Sequence, residues 1–161
     1  RDPRRIAMPP SSQQQDRHET PLQAILLTDP APYSDAECEG TENAFSAVRS
    51  GLVPATLDAP PALMPVNNVL AIDYVLEWLA GAGVKEVFVC SRDHGSQIAS
   101  HLSSSPWSAS MSLRPIFDRT LRSPGDVLRD LDRRAVVRSD PFLLLSADVI
   151  ASADLSATLA S

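Results

Sequence analysis

One segment near the middle of the chain, residues 65–90, constrains the fold more than any other. Its first half places apolar residues at helical spacing, at Ile72, Val75, Leu76 and Leu79. Gly81 and Gly83 then favour a helix end. Residues 84–90 end in the continuous apolar run 87–90, which is typical of a buried strand. The pattern predicts a helix that leads directly into a core strand.

Short apolar runs without charges lie on either side of this unit, at residues 22–27 and 142–145. Strands that alternate with helices are typical of a mostly parallel sheet. A further candidate strand, residues 112–117, contains Pro115, and proline favours an edge position because it has no backbone N–H. The predicted fold class is therefore α/β, with a mostly parallel sheet flanked by helices on both faces.

Two more helices are predicted in the second half of the chain. Ser123 is a suitable N-cap, Pro124 suits the first helical position and Asp126 follows three residues after the cap. This helix is predicted to run to about residue 137, with charges of alternating sign on a solvated face. A shorter helix is predicted at residues 93–102, followed by three serines.

The 161 residues are about one domain in length, and 43% hydrophobic residues suffice for a core. Residues 1–20 are rich in proline and glutamine and are predicted to be a disordered tail. Residues 21–161 are predicted to form a domain that is incomplete at its C-terminal end, so the chain is interpreted as an N-terminal fragment. A flexible insertion is expected at about residues 31–61. A basic arm is the alternative for the tail, formed by Arg1, Arg4 and Arg5.

Charge and cysteine content narrow the function classes. The net charge of −6 argues against direct nucleic-acid binding, which normally requires a basic surface. Cys38 and Cys90 have no spacing that indicates a zinc site or a disulfide framework. The sequence has no apolar run of about 20 residues and no signal-peptide pattern, so we expect a cytoplasmic protein without a membrane segment.

The carboxyl ends of the predicted strands are where an α/β sheet would bind a ligand. The first strand leads into Asp29 and Pro30, with no glycine before Gly40, so no phosphate-binding loop is predicted there. Asp148 follows the last strand and is suitably placed to hold Mg²⁺, but a second oxygen donor is needed. No catalytic, cofactor-binding or metal-binding residue is therefore assigned.

Four other residues could have carried chemistry but have simpler interpretations. His94 and His101 have no carboxylate or cysteine at ligand spacing and are interpreted as surface or capping residues. Trp107 is expected to close over the core. Asp154 is interpreted as the cap of a short helix at residues 155–159.

Several of these segments together resemble the nucleotidyltransferase fold of sugar-nucleotide pyrophosphorylases. More closely, they are similar to the epsilon-subunit family of eukaryotic translation initiation factor 2B. The resemblance extends from Pro21 to about Leu159 with an interruption at the insertion. It is carried by residues 21–27, 62–79, 83–89, 97–98, 101–102, 123–132, 138–144 and 147–150.

The sequence departs from the enzymes at two places. The pyrophosphorylase pattern has glycines after the first strand, where Asp29 and Pro30 stand. It also has a basic residue and a proline ahead of the central helix, where Pro61 and Ala62 stand. An apolar side chain cannot replace a lysine or arginine that stabilises phosphate charge. Only Asp148 matches a functional position, that of the metal-binding aspartate.

The resemblance implies a non-catalytic domain that helps assemble a multi-subunit guanine-nucleotide exchange factor. Its implied partners are the other subunits of that factor and the GTPase that delivers initiator tRNA, with no direct contact to nucleic acid or membrane and no cofactor. Exchange activity is implied in a C-terminal domain that this chain lacks. The alternatives are an active sugar-phosphate nucleotidyltransferase and another subunit or related pseudo-enzyme.

Overall fold

The computed structural model of the chain describes residues 21–28, 59–121 and 123–155. The predicted tail, residues 1–20, lies outside this part, and so does the predicted helix at 155–159 beyond its first residue. Of the predicted insertion, only residues 59–61 are described, and there Pro60 and Pro61 are buried.

Six strands lie in the described residues: β1 (Gln23–Leu27), β2 (Pro65–Val66), β3 (Val69–Leu70), β4 (Glu86–Ser91), β5 (Ser112–Phe117) and β6 (Leu143–Ser146). Four of them form one parallel sheet in the order β5-β4-β1-β6. Ile25 of β1 lies opposite Phe88 of β4 on one side and Leu144 of β6 on the other. The predicted parallel sheet is confirmed, with β5 at an edge as Pro115 indicated.

Three α-helices of the described residues flank this sheet: α1 (Ala71–Gly81), α2 (Gly95–Ser104) and α3 (Pro124–Arg134). Single turns of 3₁₀ helix lie at Pro61–Leu63 and Pro106–Ala109. The predicted Ser123 cap is confirmed, because its hydroxyl accepts a hydrogen bond from the Asp126 N–H at 3.2 Å. The predicted end of α3 near residue 137 is wrong. Ala135 adopts the left-handed conformation, with φ 50° and ψ 39°, and stops the helix.

The two faces of the sheet are covered by different helices. On one face, α1 and α2 contribute buried residues such as Leu76, Leu79 and Ile98, and Trp107 packs against this layer as predicted. On the other face, Leu131 of α3 packs in a cluster with Phe88. Helices on both faces explain why β1 and β4 are apolar along nearly their whole length.

A short hairpin precedes α1, and it was not predicted. β2 and β3 pair in antiparallel fashion around Asn67 and Asn68, whose φ angles are 52° and 65°. Positive φ at both turn residues is the requirement of a type I′ turn, and asparagine tolerates it better than most residues. The Tyr74 hydroxyl donates a hydrogen bond to the Val66 carbonyl at 3.0 Å, which ties the hairpin to α1.

At the amino end of the sheet, a buried glutamine connects β1 with the segment that leads into β6. The Gln23 Oε1 accepts hydrogen bonds from the N–H groups of Arg138 (2.6 Å) and Ser139 (2.9 Å). Its Nε2 donates to the Glu86 carboxylate, which in turn pairs with Arg114 of β5 at 2.6 Å. One row of polar contacts thus links β1, β4 and β5 with the segment that precedes β6.

Candidate functional site

The carboxyl ends of β1 and β6 mark the topological switch point, where the order in which strands are added to the sheet reverses. From β1 the chain builds outward through β4 to β5, and it then returns to place β6 on the opposite side of β1. Ligands of open α/β sheets bind in the crevice outside such a switch point. This end of the sheet is therefore the candidate functional site.

Asp148 lies at this switch point, as the sequence predicted, in the turn that follows β6. The Ala147 N–H donates to the Leu27 carbonyl at 2.7 Å, which holds the turn beside the end of β1. The Asp148 side chain is exposed, and its Oδ1 accepts a hydrogen bond from the Ser146 hydroxyl at 2.5 Å. The carboxylate is thus oriented by its own strand.

Thr28 and Ser91 place hydroxyl groups at the ends of β1 and β4. The Thr28 hydroxyl and its backbone N–H both donate to the Cys90 carbonyl at 3.1 Å, so this side chain ties the two strands together. Ser91 is 2% exposed, and its hydroxyl has no hydrogen-bond partner among the described residues. Sequence reasoning did not single out Ser91, and its place at the end of an apolar strand gives no signal that would.

Asp118 follows β5 at the same end of the sheet, and its carboxylate accepts hydrogen bonds from a residue two positions later. Its Oδ1 accepts hydrogen bonds from the Thr120 hydroxyl (2.7 Å) and the Thr120 N–H (2.8 Å). These two hydrogen bonds, with the nearby positive charge of Arg134, hold the pKa of the Asp118 carboxyl below its ordinary value. The short Asp-x-Thr spacing could have indicated this turn.

A metal site is not assembled around Asp148 by the described residues. Nowhere in them do three or more histidine, cysteine, aspartate or glutamate side chains gather where they could hold a metal ion. The possible metal ligands at the end of β6 are the Asp148 carboxylate and the Ser146 hydroxyl, which is hydrogen-bonded to it. Mg²⁺ in proteins is usually held by one or two carboxylates together with substrate phosphates.

The position where the enzymes have a basic residue is part of the core in this chain. Pro61 and Ala62 lie in the 3₁₀ turn Pro61–Leu63, and both are buried, with Ala62 0% exposed. The Ala71 N–H donates to the Met64 carbonyl at 3.0 Å and fixes the end of this turn against α1. A cationic side chain at position 61, where the enzymes have their basic residue, would have to be buried.

Both histidines belong to α2 and its N-cap. His101 has a carboxylate partner, because its Nε2 lies 3.0 Å from the Asp73 Oδ1. Asp73 is on α1, 28 residues earlier, so a search at local ligand spacing could not find it. His94 occupies the N-cap position of α2, where its carbonyl accepts from the Ile98 N–H at 3.2 Å.

Comparison with solved structures identifies the class of fold. The chain is similar to UDP-glucose pyrophosphorylase complexed with UDP-glucose, with a TM-score of 0.62 and 9% identity over 87% of this chain and 52% of that one. It is also similar to a nucleotidyl transferase from Methanothermobacter thermautotroptrophicus, with a TM-score of 0.52 and 21% identity over 83% and 53%. The described residues thus have a nucleotidyltransferase-like fold, as predicted.

Two curated relatives identify the family of the chain, which the solved structures do not. The chain is 36% identical over 158 residues to translation initiation factor eIF2B subunit epsilon of Schizosaccharomyces pombe, which is 94% of this chain and 21% of the relative. It is 37% identical over 108 residues to the protein of the same name in Dictyostelium discoideum, which is 66% and 15%. The resemblance to the eIF2B epsilon subunits is confirmed, and the chain is homologous to a segment of them.

The chain spans about a fifth or less of the length of these curated relatives. No family model matches it. Within the described ranges, no helix has both the length and the apolar character needed to cross a membrane.

Proposed function

We propose that this chain contributes a non-catalytic assembly domain to an epsilon-type subunit of the translation initiation exchange factor. The observation that carries the proposal is the 36% identity to a subunit named eIF2B epsilon over 94% of this chain. In this proposal the partners are the other subunits of the exchange factor and the GTPase that delivers initiator tRNA. The complex would act in the cytoplasm.

The non-catalytic part of the proposal is supported by the residues that stand at two positions where the enzymes bind phosphate. Buried Pro61 and Ala62 take the place of a basic residue and a proline, and a buried proline cannot stabilise developing phosphate charge. Asp29 and Pro30 follow β1 in sequence, where a phosphate loop needs glycines with free N–H groups. Guanine-nucleotide exchange itself is assigned to the part of the relatives that this chain does not span.

The test is affinity purification of the complete polypeptide that carries this chain from its own cells, followed by mass spectrometry. The proposal expects the other exchange-factor subunits in stoichiometric amounts, together with the GTPase. Recovery as a free monomer or a homo-oligomer would contradict it. Asp148→Asn is the matched variant, and it should co-purify with the same partners and retain the same exchange rate if Asp148 has no catalytic role.

An active sugar-phosphate nucleotidyltransferase is the second candidate, favoured by the position of Asp148. An exposed carboxylate at the switch point of a pyrophosphorylase-like sheet is where a nucleotide-bound metal could be held. The assay is Mg²⁺-dependent formation of a sugar nucleotide from a sugar 1-phosphate and a nucleoside triphosphate. Activity that Asp148→Asn abolishes would support this candidate, whereas the assembly proposal expects no turnover with either protein.

A further inference from the structure

A buried hydroxyl at the carboxyl end of β4 has hydrogen-bonding capacity that the described residues do not use. Ser91 is 2% exposed, and its Oγ meets no donor or acceptor among them. A serine hydroxyl can donate one hydrogen bond and accept others. Burying it without a partner is unfavourable, because its hydrogen bonds to water are lost. A buried group of this kind therefore calls for an explanation.

The Ser91 side chain lies beneath the first turn of α2. Val87 and Val89 of β4 belong to the cluster on the face that α2 covers, and side chains alternate along a strand, so Ser91 continues their row. Ser91 also lies opposite Phe117 of β5. The Phe117 ring lies against Gly95, since a Cβ there would be 2.5 Å from its Cγ. Ser91 and Phe117 thus point to the place where α2 begins.

The first turn of α2 contributes backbone donors that no side chain caps. His94 occupies the N-cap position, and its side chain makes no capping hydrogen bond. The N–H groups of Gly95 and Ser96 have no acceptor in the described part of the chain. Ser96 is exposed, so this turn can be reached from solvent. Free N–H groups and the positive end of the helix dipole favour an anion.

The charged residues around this turn leave the helix dipole without an acidic side chain on α2 itself. The first turn of α2 has no acidic residue, whereas those of α1 and α3 have Asp73 and Asp126. Asp93 precedes the N-cap, and the Arg92 Nε lies 3.5 Å from its carboxylate, which offsets its charge. The Asp118 carboxylate, beyond β5, is hydrogen-bonded within its own turn. The turn can therefore accept an external anion.

We infer that the turn between β4 and α2 binds a phosphate group, which accepts hydrogen bonds from the N–H groups of Gly95 and Ser96 and from the Ser91 hydroxyl. Phosphate has several strong acceptor oxygens, enough for these three donors at once. The ligand is inorganic phosphate or the phosphomonoester of a small metabolite. This site is separate from the end of β6 and Asp148, because β1 lies between β4 and β6.

The experiment is amide hydrogen exchange on the complete polypeptide that carries this chain, titrated with inorganic phosphate at constant ionic strength. Mass spectrometry with fragmentation resolves the single amides of residues 92–98. We expect exchange at Gly95 and Ser96 to slow and to saturate with phosphate, and chloride to have no such effect. Glycerol phosphate is the second probe. Half-saturation at a lower concentration than with inorganic phosphate identifies a metabolite phosphate as the ligand, and equal or weaker binding identifies the free ion.

Two variants test the proposed donors. Ser91→Ala should raise the half-saturating phosphate concentration about tenfold, as expected for the loss of one hydrogen bond to a charged group. Ser112→Ala, at an exposed position at the other end of the sheet, is its control and should change nothing. Ser96→Asp places a carboxylate where the helix dipole favours it, and should abolish the effect of phosphate. Ser103→Asp makes the same charge change in the last turn of α2 and should retain binding.

The inference is overturned if phosphate does not slow exchange at Gly95 and Ser96, or if either Ser91→Ala or Ser96→Asp binds phosphate as tightly as the native chain. Slowing of the same size at amides throughout the described residues would also contradict it, because that is a general stabilisation. The result is independent of the proposed function, since co-purification with exchange-factor subunits is measured separately.

Discussion

β5 and β6 are the outermost strands of the described sheet, yet they are built differently. The N–H groups of Ser112 and of Asp118, just beyond β5, donate to the carbonyls of Lys85 and Ser91. The backbone groups of Leu113, Pro115 and Phe117 therefore face outward, and the proline removes the middle donor of that row. Arg114 adds a charge beside it. On β6 the outward residues are Leu144 and Ser146, which keep their donors. β5 is thus a protected edge, whereas β6 keeps outward backbone donors that could pair with another strand.

The largest effect is expected at Leu144 in the complete polypeptide. If another segment of the complete polypeptide covers β6, Leu144→Ala should lower the free energy of unfolding by about 2–5 kcal/mol, as for a buried leucine. Val66→Ala is the matched control, since Val66 on the exposed hairpin has nearly the same exposure, 40%. It should cost less than about 1 kcal/mol. Equal small losses in denaturant titrations would mean that Leu144 is exposed to solvent.

The next largest effect concerns the row of polar contacts around Gln23 at the amino end of the sheet. Gln23→Leu leaves the N–H groups of Arg138 and Ser139 without their acceptor, at an expected cost of about 1–3 kcal/mol. Arg114→Gln removes only the half-exposed ion pair with Glu86 and should cost less than about 1 kcal/mol. The comparison is made by thermal denaturation at low and high salt, and only the Arg114 variant should lose its effect at high salt.

Gly95 supports β5 from the adjoining helix, and its substitution tests that edge. A Cβ at this position would lie 2.5 Å from Cγ of Phe117, so Gly95→Ala forces the ring to move. We expect destabilisation of about 1–3 kcal/mol. Gly81→Ala is the control, because a Cβ there meets no atom within 4 Å. In a double-mutant cycle, Phe117→Ala should relieve the Gly95→Ala effect, and simple additivity of the two would contradict the proposed clash.

The smallest effect is a pH dependence at the end of β5. The pKa of Asp118 is lower in the folded protein than its ordinary value. Its stabilising contribution is therefore fully present above the ordinary carboxyl pKa and is lost as the pH falls through the lowered value. Melting temperatures measured between about pH 2 and pH 6 should decline less steeply for Asp118→Asn than for the native chain. Parallel curves would contradict the assignment.

Strong local patterns allowed most of the fold to be predicted. The apolar period of α1, the apolar runs of β1 and β4, and the Ser123 cap each depend on neighbouring residues. Pro115 gave the edge position of β5 because a missing N–H has the same consequence in any sheet. The type I′ turn at Asn67 and Asn68 was also encoded locally, and two asparagines between valines are a signal that could have been used.

The interactions that were missed join residues far apart in the sequence. Gln23 contacts residues more than 110 positions later, and an isolated glutamine at the start of a strand carries no sign of that role. His101 and Asp73 meet because α1 and α2 pack on the same face of the sheet. The end of α3 was misplaced for a different reason, since Ala135 adopts a left-handed conformation that alanine rarely favours. At the candidate site, Asp148 was found from its strand, whereas buried Ser91 was not.

The most direct measurement of the difference between the two edges is amide hydrogen exchange on the complete polypeptide purified from its own cells. The outward N–H groups of Leu144 and Ser146 are compared with those of Leu113 and Phe117. We predict slow exchange on β6, as expected if a covering segment of the complete polypeptide accepts hydrogen bonds from those groups, and fast exchange on β5. Exchange at Leu144 and Ser146 as fast as at Leu113 and Phe117 would contradict it.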